Sequence, residues 1–193
     1  MESIESLRTP RLLLRTWRDD DLAPFATLNA DARVREFFPS ALSRQENDAL
    51  VARFRAHFLE RGYGFWAVEI PGTSPFIGFI GLGDPNLPAP LSGLVEIGWR
   101  LSPEHWGQGY ATEGASAALD AAFDRVGLDQ VIALTVPSNV RSRRVMDKLG
   151  MVHSPHEDFD HPRVPDGHAL KRHVLYRHTR ERWAERIRST GTA

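Results

Sequence analysis

Residues 94–136 constrain the fold of this chain more than any other stretch. A strand-like run over residues 94–101 empties into Trp106-Gly107-Gln108-Gly109-Tyr110-Ala111, a helical stretch follows over 112–126, and a continuous apolar run fills 131–136. A strand, a crossover helix and a second strand make a right-handed βαβ unit with parallel strands. In the first strand Val95, Ile97 and Trp99 share one face, while Glu96, Gly98 and Arg100 share the other, which is polar and sparsely filled. Ala115, Ala118, Leu119, Ala122, Phe123 and Val126 recur at helical spacing and make a face small enough to pack closely on a sheet. The 131–136 run predicts an interior strand covered on both sides. Where the glycine turn meets the helix, unpaired N–H groups and the positive end of the helix dipole make a cradle for an anion. A side chain at Gly107 or Gly109 would hold a pyrophosphate off the backbone, and turns of this kind often need positive φ.

The other elements follow from local signals. Residues 12–17 predict an opening strand, and Asp19, Asp20 and Asp21 supply the cap and first-turn acids of a helix through Leu22, Phe25, Ala26 and Leu28. Ser43 and Glu46 form a capping box for a second helix with Leu50, Phe54 and Phe58 along one face, stopped by Gly62. Residues 65–70 and 76–82 flank a Pro-Gly turn and predict a hairpin. A further helix spans 139–149, residues 151–164 read as irregular, 169–178 as a last strand, and Thr179 caps an amphipathic tail through Trp183 and Ile187.

With 193 residues, the expectation is one domain over 1–193. A net charge of -1 gives no general attraction to nucleic acid or to an anionic membrane, so any anion site must be local. The absence of cysteine excludes disulfides, thiolate metal sites and a cysteine nucleophile. Residues 1–6 lack an apolar leader segment and no stretch is long enough to span a bilayer, so a cytoplasmic protein is expected. His153, His156 and His161 lie among acids without regular ligand spacing, and no metal is expected.

In combination, Thr9-Pro10-Arg11-Leu12-Leu13-Leu14-Arg15, Glu96-Ile97-Gly98-Trp99, Trp106 to Glu113, Asn139-Val140-Arg141-Ser142 and Lys148-Leu149-Gly150-Met151 resemble the GCN5-related N-acetyltransferase (GNAT) superfamily. Within it, the chain is most similar to the branch holding the bacterial ribosomal-protein N-terminal acetyltransferases. Gly109 and Ala111 match the superfamily's pyrophosphate motif, and Trp106 stands where Arg or Gln is usual. The resemblance implies an α+β, three-layer fold: a mixed, mostly antiparallel, twisted sheet of about seven strands, helices on both faces and a splayed central strand pair.

It also implies a donor, acetyl-coenzyme A, with its pantetheine near Arg100 and Leu101. The diphosphate would sit on the turn, with Trp106, Gly107, Gln108, Gly109, Tyr110, Ala111 and Thr112 as coenzyme residues together with Asn139, Ser142 and Lys148. Arg141, Arg143, Arg144 and Lys148 form a basic helix surface that suits a 3′-phosphate, although such a run is more often a solvated face. Glu96 is the candidate base, because its strand position turns it to the polar face, and pairing with a nearby arginine is the competing reading. Glu113 better complements the helix dipole. Met146 occupies the place of the superfamily's tyrosine acid, and the resemblance passes that role to Ser142, one turn away. Phe37, Phe38 and His161 are candidate acceptor-binding residues.

The expected reaction is transfer of an acetyl group to a primary amine, on a protein N-terminus or a small molecule, by a monomer or homodimer. The alternatives are a coenzyme-binding sensor of the same fold without turnover and a nucleotide-binding protein. The latter lacks the P-loop Lys-Ser/Thr and the full dinucleotide fingerprint.

Overall fold

The computed structural model describes residues 3–190, with side chains up to residue 186, so Met1, Glu2 and the side chain of Ile187 lie outside the described residues. One sheet organises the chain. Its strands are β1 (Ser6–Arg8), β2 (Leu13–Arg15), β3 (Phe65–Ile70), β4 (Ser74–Gly83), β5 (Glu96–Leu101), β6 (Gln130–Thr135), β7 (Val152–His153), β8 (Phe159–Asp160) and β9 (Arg172–Thr179). They run in the order β1-β2-β3-β4-β5-β6-β9-β7, with β8 also paired to β9. Every pairing is antiparallel except β5 with β6, which is parallel, as a βαβ unit requires.

The helices are α1 (Leu22–Ala30), α2 (Ala32–Arg35), α3 (Arg44–Arg61), α4 (Tyr110–Asp120), α5 (Val140–Lys148) and α6 (Arg180–Thr190). Side chains alternate across each strand, so Trp66 and Ala67 serve opposite faces of β3, as do Ile80 and Phe79 of β4. Trp66 and Ile80 join Leu14, Leu119, Phe123 and Val131 in the larger core, against α4. Ala67 and Phe79 join Trp17, Phe25 and Val51 in the smaller one, under α1 and α3. Each Leu or Phe fully enclosed in this way contributes about 1.5–3 kcal/mol.

Local chemistry sets several boundaries as expected. Ser43 accepts from the Glu46 amide while Glu46 accepts from the Ser43 amide, and α3 ends on Gly62 in the left-handed region. Asn139 starts α5 by accepting from the Ser142 amide. Other expectations need correction. The sheet has nine strands rather than about seven, since β1 and the two-residue β7 and β8 were not anticipated. The 151–164 segment is therefore not wholly irregular. His153 stacks on Tyr176 of β9 at 5.1 Å and pairs with Asp158 at 2.8 Å, and Arg177 pairs with Glu157, which ties the segment to the last strand. Helix α4 widens into a π turn over Ala121–Val126 instead of running on as α-helix. Asp21 caps nothing with its side chain toward α1; it is buried against Arg15.

Candidate functional site

The site begins where the parallel strands separate. Glu96 lies opposite Ile132, and the Ile132 amide donates to the Val95 carbonyl at 2.9 Å, but no later residue of β5 pairs with β6. Strand β5 continues to Leu101 with β4 on its other side, so a cleft opens along its free edge. Val95, Ile97 and Trp99 pack toward the larger core, which leaves Glu96, Gly98 and Arg100 facing the cleft side.

Three cavities meet there. The first, about 420 Å³, lies over the glycine turn, and Arg100, Leu101, Trp106, Gly107, Gly109, Tyr110, Ala111 and Thr112 contribute to its wall. Helix α5 closes it with Asn139, Arg141, Ser142, Arg144 and Lys148. Gly107 and Gly109 have φ of 74° and 84°, a region that L side chains rarely adopt, and nothing lies within 4 Å of where a Cβ would stand at Gly107. Gly109 starts α4 with no side-chain cap, which leaves the first-turn amides facing outward. The turn itself is clamped from β2's approach. Glu113 accepts from Thr9 Oγ1 at 2.6 Å and from the Arg11 amide and Nε, while Arg11 donates to the Gln108 carbonyl and covers the Tyr110 ring at 4.6 Å. Burial opposes the charge on Glu113, but these hydrogen bonds hold its carboxyl below the ordinary value. Glu113 thus fixes the turn as well as complementing the dipole.

Not all the expected coenzyme residues converge. Gln108 is exposed, with its amide donating back to the Glu104 carbonyl, and is not part of the cavity wall. Trp106 donates from Nε1 to the Leu101 carbonyl at 2.8 Å and stacks under Arg141, so that carbonyl is already engaged. Arg143 turns away from the basic surface to the Tyr176 hydroxyl and the Pro137 carbonyl, leaving Arg141, Arg144 and Lys148 on the cavity.

A second cavity, about 780 Å³, holds Glu96, Asn139, Ser142 and Met146 in its wall, and a third, about 530 Å³, holds Glu96, Arg100 and His161. Phe37 and Phe38 border all three. Glu96 therefore sits between the spaces, and Ser142 borders the first two. The carboxyl of Glu96 forms no ion pair among the described residues, contrary to the competing expectation of an arginine partner. Burial pushes it up to about 7, the Arg163 charge pulling it down and Asp84 pushing it up by lesser amounts. At Gly98 the Phe65 ring closes in beside it: a Cβ there would stand 3.2 Å from that ring, tighter than an ordinary contact, and 4.0 Å from Glu96 Oε1. Met146 is buried and offers no proton, whereas Ser142 borders both the first and the second cavity.

His161 faces His173 at 4.7 Å between ring centroids, and burial together with the His173, Arg163 and Lys171 charges depresses it to about 4. Burial lowers His173 as well, against the Lys171 carbonyl, which raises it. No group of three His, Cys, Asp or Glu side chains suited to a metal occurs among the described residues. Nor is any described helix long and apolar enough to cross a membrane. The loop from Asp84 to Pro90 was expected on the acceptor side, and Asp84 does line the second cavity. Sequence reasoning missed Asn29, Arg53, Arg163 and His173, which line the second and third cavities from four distant segments.

With the cleft and its turn in view, the comparisons with known proteins decide the family. A family model described as an acetyltransferase (GNAT) domain matches residues 11–152. The chain belongs to the GNAT acetyltransferase family. Among its relatives, YkkB of Bacillus subtilis is 32% identical over 157 residues, which cover 80% of this chain and 89% of that protein. Among solved structures, a GNAT-family acetyltransferase from Bacillus anthracis superposes with a TM-score of 0.75 at 24% identity, covering 91% of this chain and 99% of that one. Mycobacterium smegmatis RimJ, in complex with CoA-disulfide, superposes with a TM-score of 0.71 at 22% identity, over 96% of this chain and 93% of its own. This GNAT domain is therefore an acetyltransferase, of a family that uses acetyl-coenzyme A.

Proposed function

We propose that this GNAT enzyme transfers the acetyl group of acetyl-coenzyme A to a primary amine, with Glu96 as the base and Ser142 as the proton donor. The observation that carries the reading is Glu96: an unpaired carboxyl, poised at about 7, on the wall where the free edge of β5 opens. A carboxyl of that affinity is divided between its two forms near neutral pH, as a general base requires.

The residues present fit the donor. The left-handed glycines and uncapped α4 amides suit a diphosphate, Arg141, Arg144 and Lys148 supply positive charge beside them, and β5 beyond Glu96 has backbone free of β6 for an extended amide chain. Acetyl-coenzyme A, when bound, supplies the acyl group already activated as a thioester. Glu96 takes one proton from the incoming ammonium, directly or through a water, and so releases the nitrogen lone pair. The C–N bond forms as the C–S bond breaks. The second N–H proton leaves as the amide forms and replaces the one that the Ser142 hydroxyl passes to the departing sulfur, so that the proton taken by Glu96 is the one that reaches solvent. The acceptor is a protein N-terminus or a small molecule, with Phe37, Phe38 and His161 on its side of the cleft.

Incubation with acetyl-coenzyme A and a panel of amines and peptides should release free thiol, and Glu96→Gln should slow that release about 100-fold or more. Unchanged turnover in the variant would remove Glu96 from the mechanism. Tight coenzyme binding with no turnover across the panel would mark a sensor of the same fold.

A further inference from the structure

We infer that the acceptor carries a carboxylate as well as its amine, and that the Arg100 guanidinium receives that carboxylate; this rests on the acetyl-transfer reading above. A guanidinium offers five N–H donors and is costly to enclose without an anion. Arg100 makes one hydrogen bond, from Nη1 to Asn29 Oδ1 at 2.6 Å, and its Nε is buried without a partner. No carboxylate of the described residues pairs with it. Its position is nevertheless held firmly. The guanidinium lies 3.9 Å over the Phe38 ring and 5.5 Å from that of Phe79, so two aromatic rings hold it.

The amide oxygen of Asn29 has its orientation imposed from behind. Asn47 spends its Nδ2 on the Leu42 and Ser43 carbonyls, so its Oδ1 must accept from Asn29 Nδ2, at 2.5 Å, which turns Asn29 Oδ1 toward Arg100. A chain of two buried side-chain amides from α3 through α1 thus fixes a cation whose remaining donors are unused. Arg100 itself borders the second and third cavities, on the acceptor side, as well as the first, and Asn29 borders only the third of these.

A second observation agrees. Four arginines line the second and third cavities, Arg35, Arg53, Arg100 and Arg163, and none of them takes part in an ion pair among the described residues, whereas their neighbours Arg33, Arg44 and Arg55 all do. Against these stand only two acids, Asp84 and Glu96. A cleft so lined attracts anions and repels polyamines, even though the whole chain carries a net charge of -1. Its other walls are aromatic, with Phe37, Phe54 and Phe65. An amino acid with an apolar side chain has the required parts: an amine for Glu96, an oxyanion for Arg100 and a body for the phenylalanines.

The test uses the full chain and three probes that share a benzyl group: phenylalanine, phenylalaninamide and phenylethylamine. Phenylalanine should be acetylated with a kcat/KM about 10-fold or more above the other two, the difference lying in KM. Calorimetry should show the same order of affinity without relying on turnover. In Arg100→Gln the ratio between phenylalanine and phenylethylamine should fall toward one, with Arg100→Lys between, because a lysine keeps the charge and loses the planar fork. Equal handling of the three probes, preference for spermidine, preference for a peptide N-terminus over phenylalanine, or a ratio unaltered in Arg100→Gln would each overturn the inference. Phenylalanine binding by calorimetry with no thiol release would instead sustain the carboxylate site and sink the acetyl-transfer reading.

Discussion

Arg15 and Arg100 are both enclosed guanidiniums on strands of the same sheet, and their surroundings are opposite. All five N–H groups of Arg15 are used: Nε on Glu69, Nη1 on Asp21 and the Thr16 carbonyl, Nη2 on Asp21 and the Pro75 carbonyl. The hydrogen bond to Asp21, ahead of the burial that opposes it, holds the Arg15 pKa above its ordinary value. Among the described residues Arg100 has one hydrogen bond and no anionic partner, and burial lowers it to about 10. The carboxylates divide in the same way. Glu113 is saturated by Thr9 and Arg11, while Glu96 is unpaired. The Arg15 and Glu113 charges are matched within the fold, and the Arg100 and Glu96 charges, on β5 where it leaves β6, are not matched by any ion pair among the described residues.

Stability measurements can break that division. Arg15→Met strands Asp21 and Glu69 in a buried setting and should lower the unfolding free energy by about 3–5 kcal/mol, read from denaturant midpoints. Arg100→Met removes a charge with no anionic partner, at the cost of one hydrogen bond to Asn29, and should leave stability within about 1 kcal/mol of the parent. Equal losses in the two variants would make Arg100 a structural residue and erase the contrast.

A smaller effect, of opposite sign at the two glutamates, sharpens it. The Glu113 carboxyl is held below its ordinary 4.5, so it contributes stability above that value and loses it as pH falls through the lower folded value. Glu96 is raised from 4.5 to about 7, so between those values the folded chain binds more protons than the unfolded one, and stability declines as pH rises. Relative to the parent, Glu113→Gln should therefore lose stability at neutral pH, and Glu96→Gln should gain it. Thermal unfolding followed between about pH 4 and pH 8 reads both signs. A loss in Glu96→Gln at neutral pH would mean that its carboxylate is paired in solution.

The matched half of the molecule was the less legible half in the sequence. Capping at Ser43 and Glu46, the Gly62 stop, the glycine turn and the β5-α4-β6 order depend on residues a few positions apart, and each was visible. The Arg15 cluster joins residues 15, 21 and 69, and the Glu113 clamp spans about a hundred residues, so no local pattern announces them. Strands β7 and β8 exist because the long β9 is there to pair with them, not because two residues carry a periodicity. In the site, alternation along β5 pointed Glu96 and Arg100 to the cleft side, since strand geometry fixes it. Arg163, Asn29 and His173 arrive from other elements, and only the folded chain brings them together.

The most direct measurement of the central claim is the pH dependence of kcat/KM for acetylation of a primary alkylamine whose own ionisation lies at about 9 or above. In the parent enzyme, kcat/KM should climb with pH, inflect near 7 as Glu96 loses its proton, and level off. In Glu96→Gln the rate should be far lower and should keep rising with the supply of neutral amine, without the inflection. The same inflection in the variant, or none in the parent, would contradict the assignment of Glu96 as the base of this acetyltransferase.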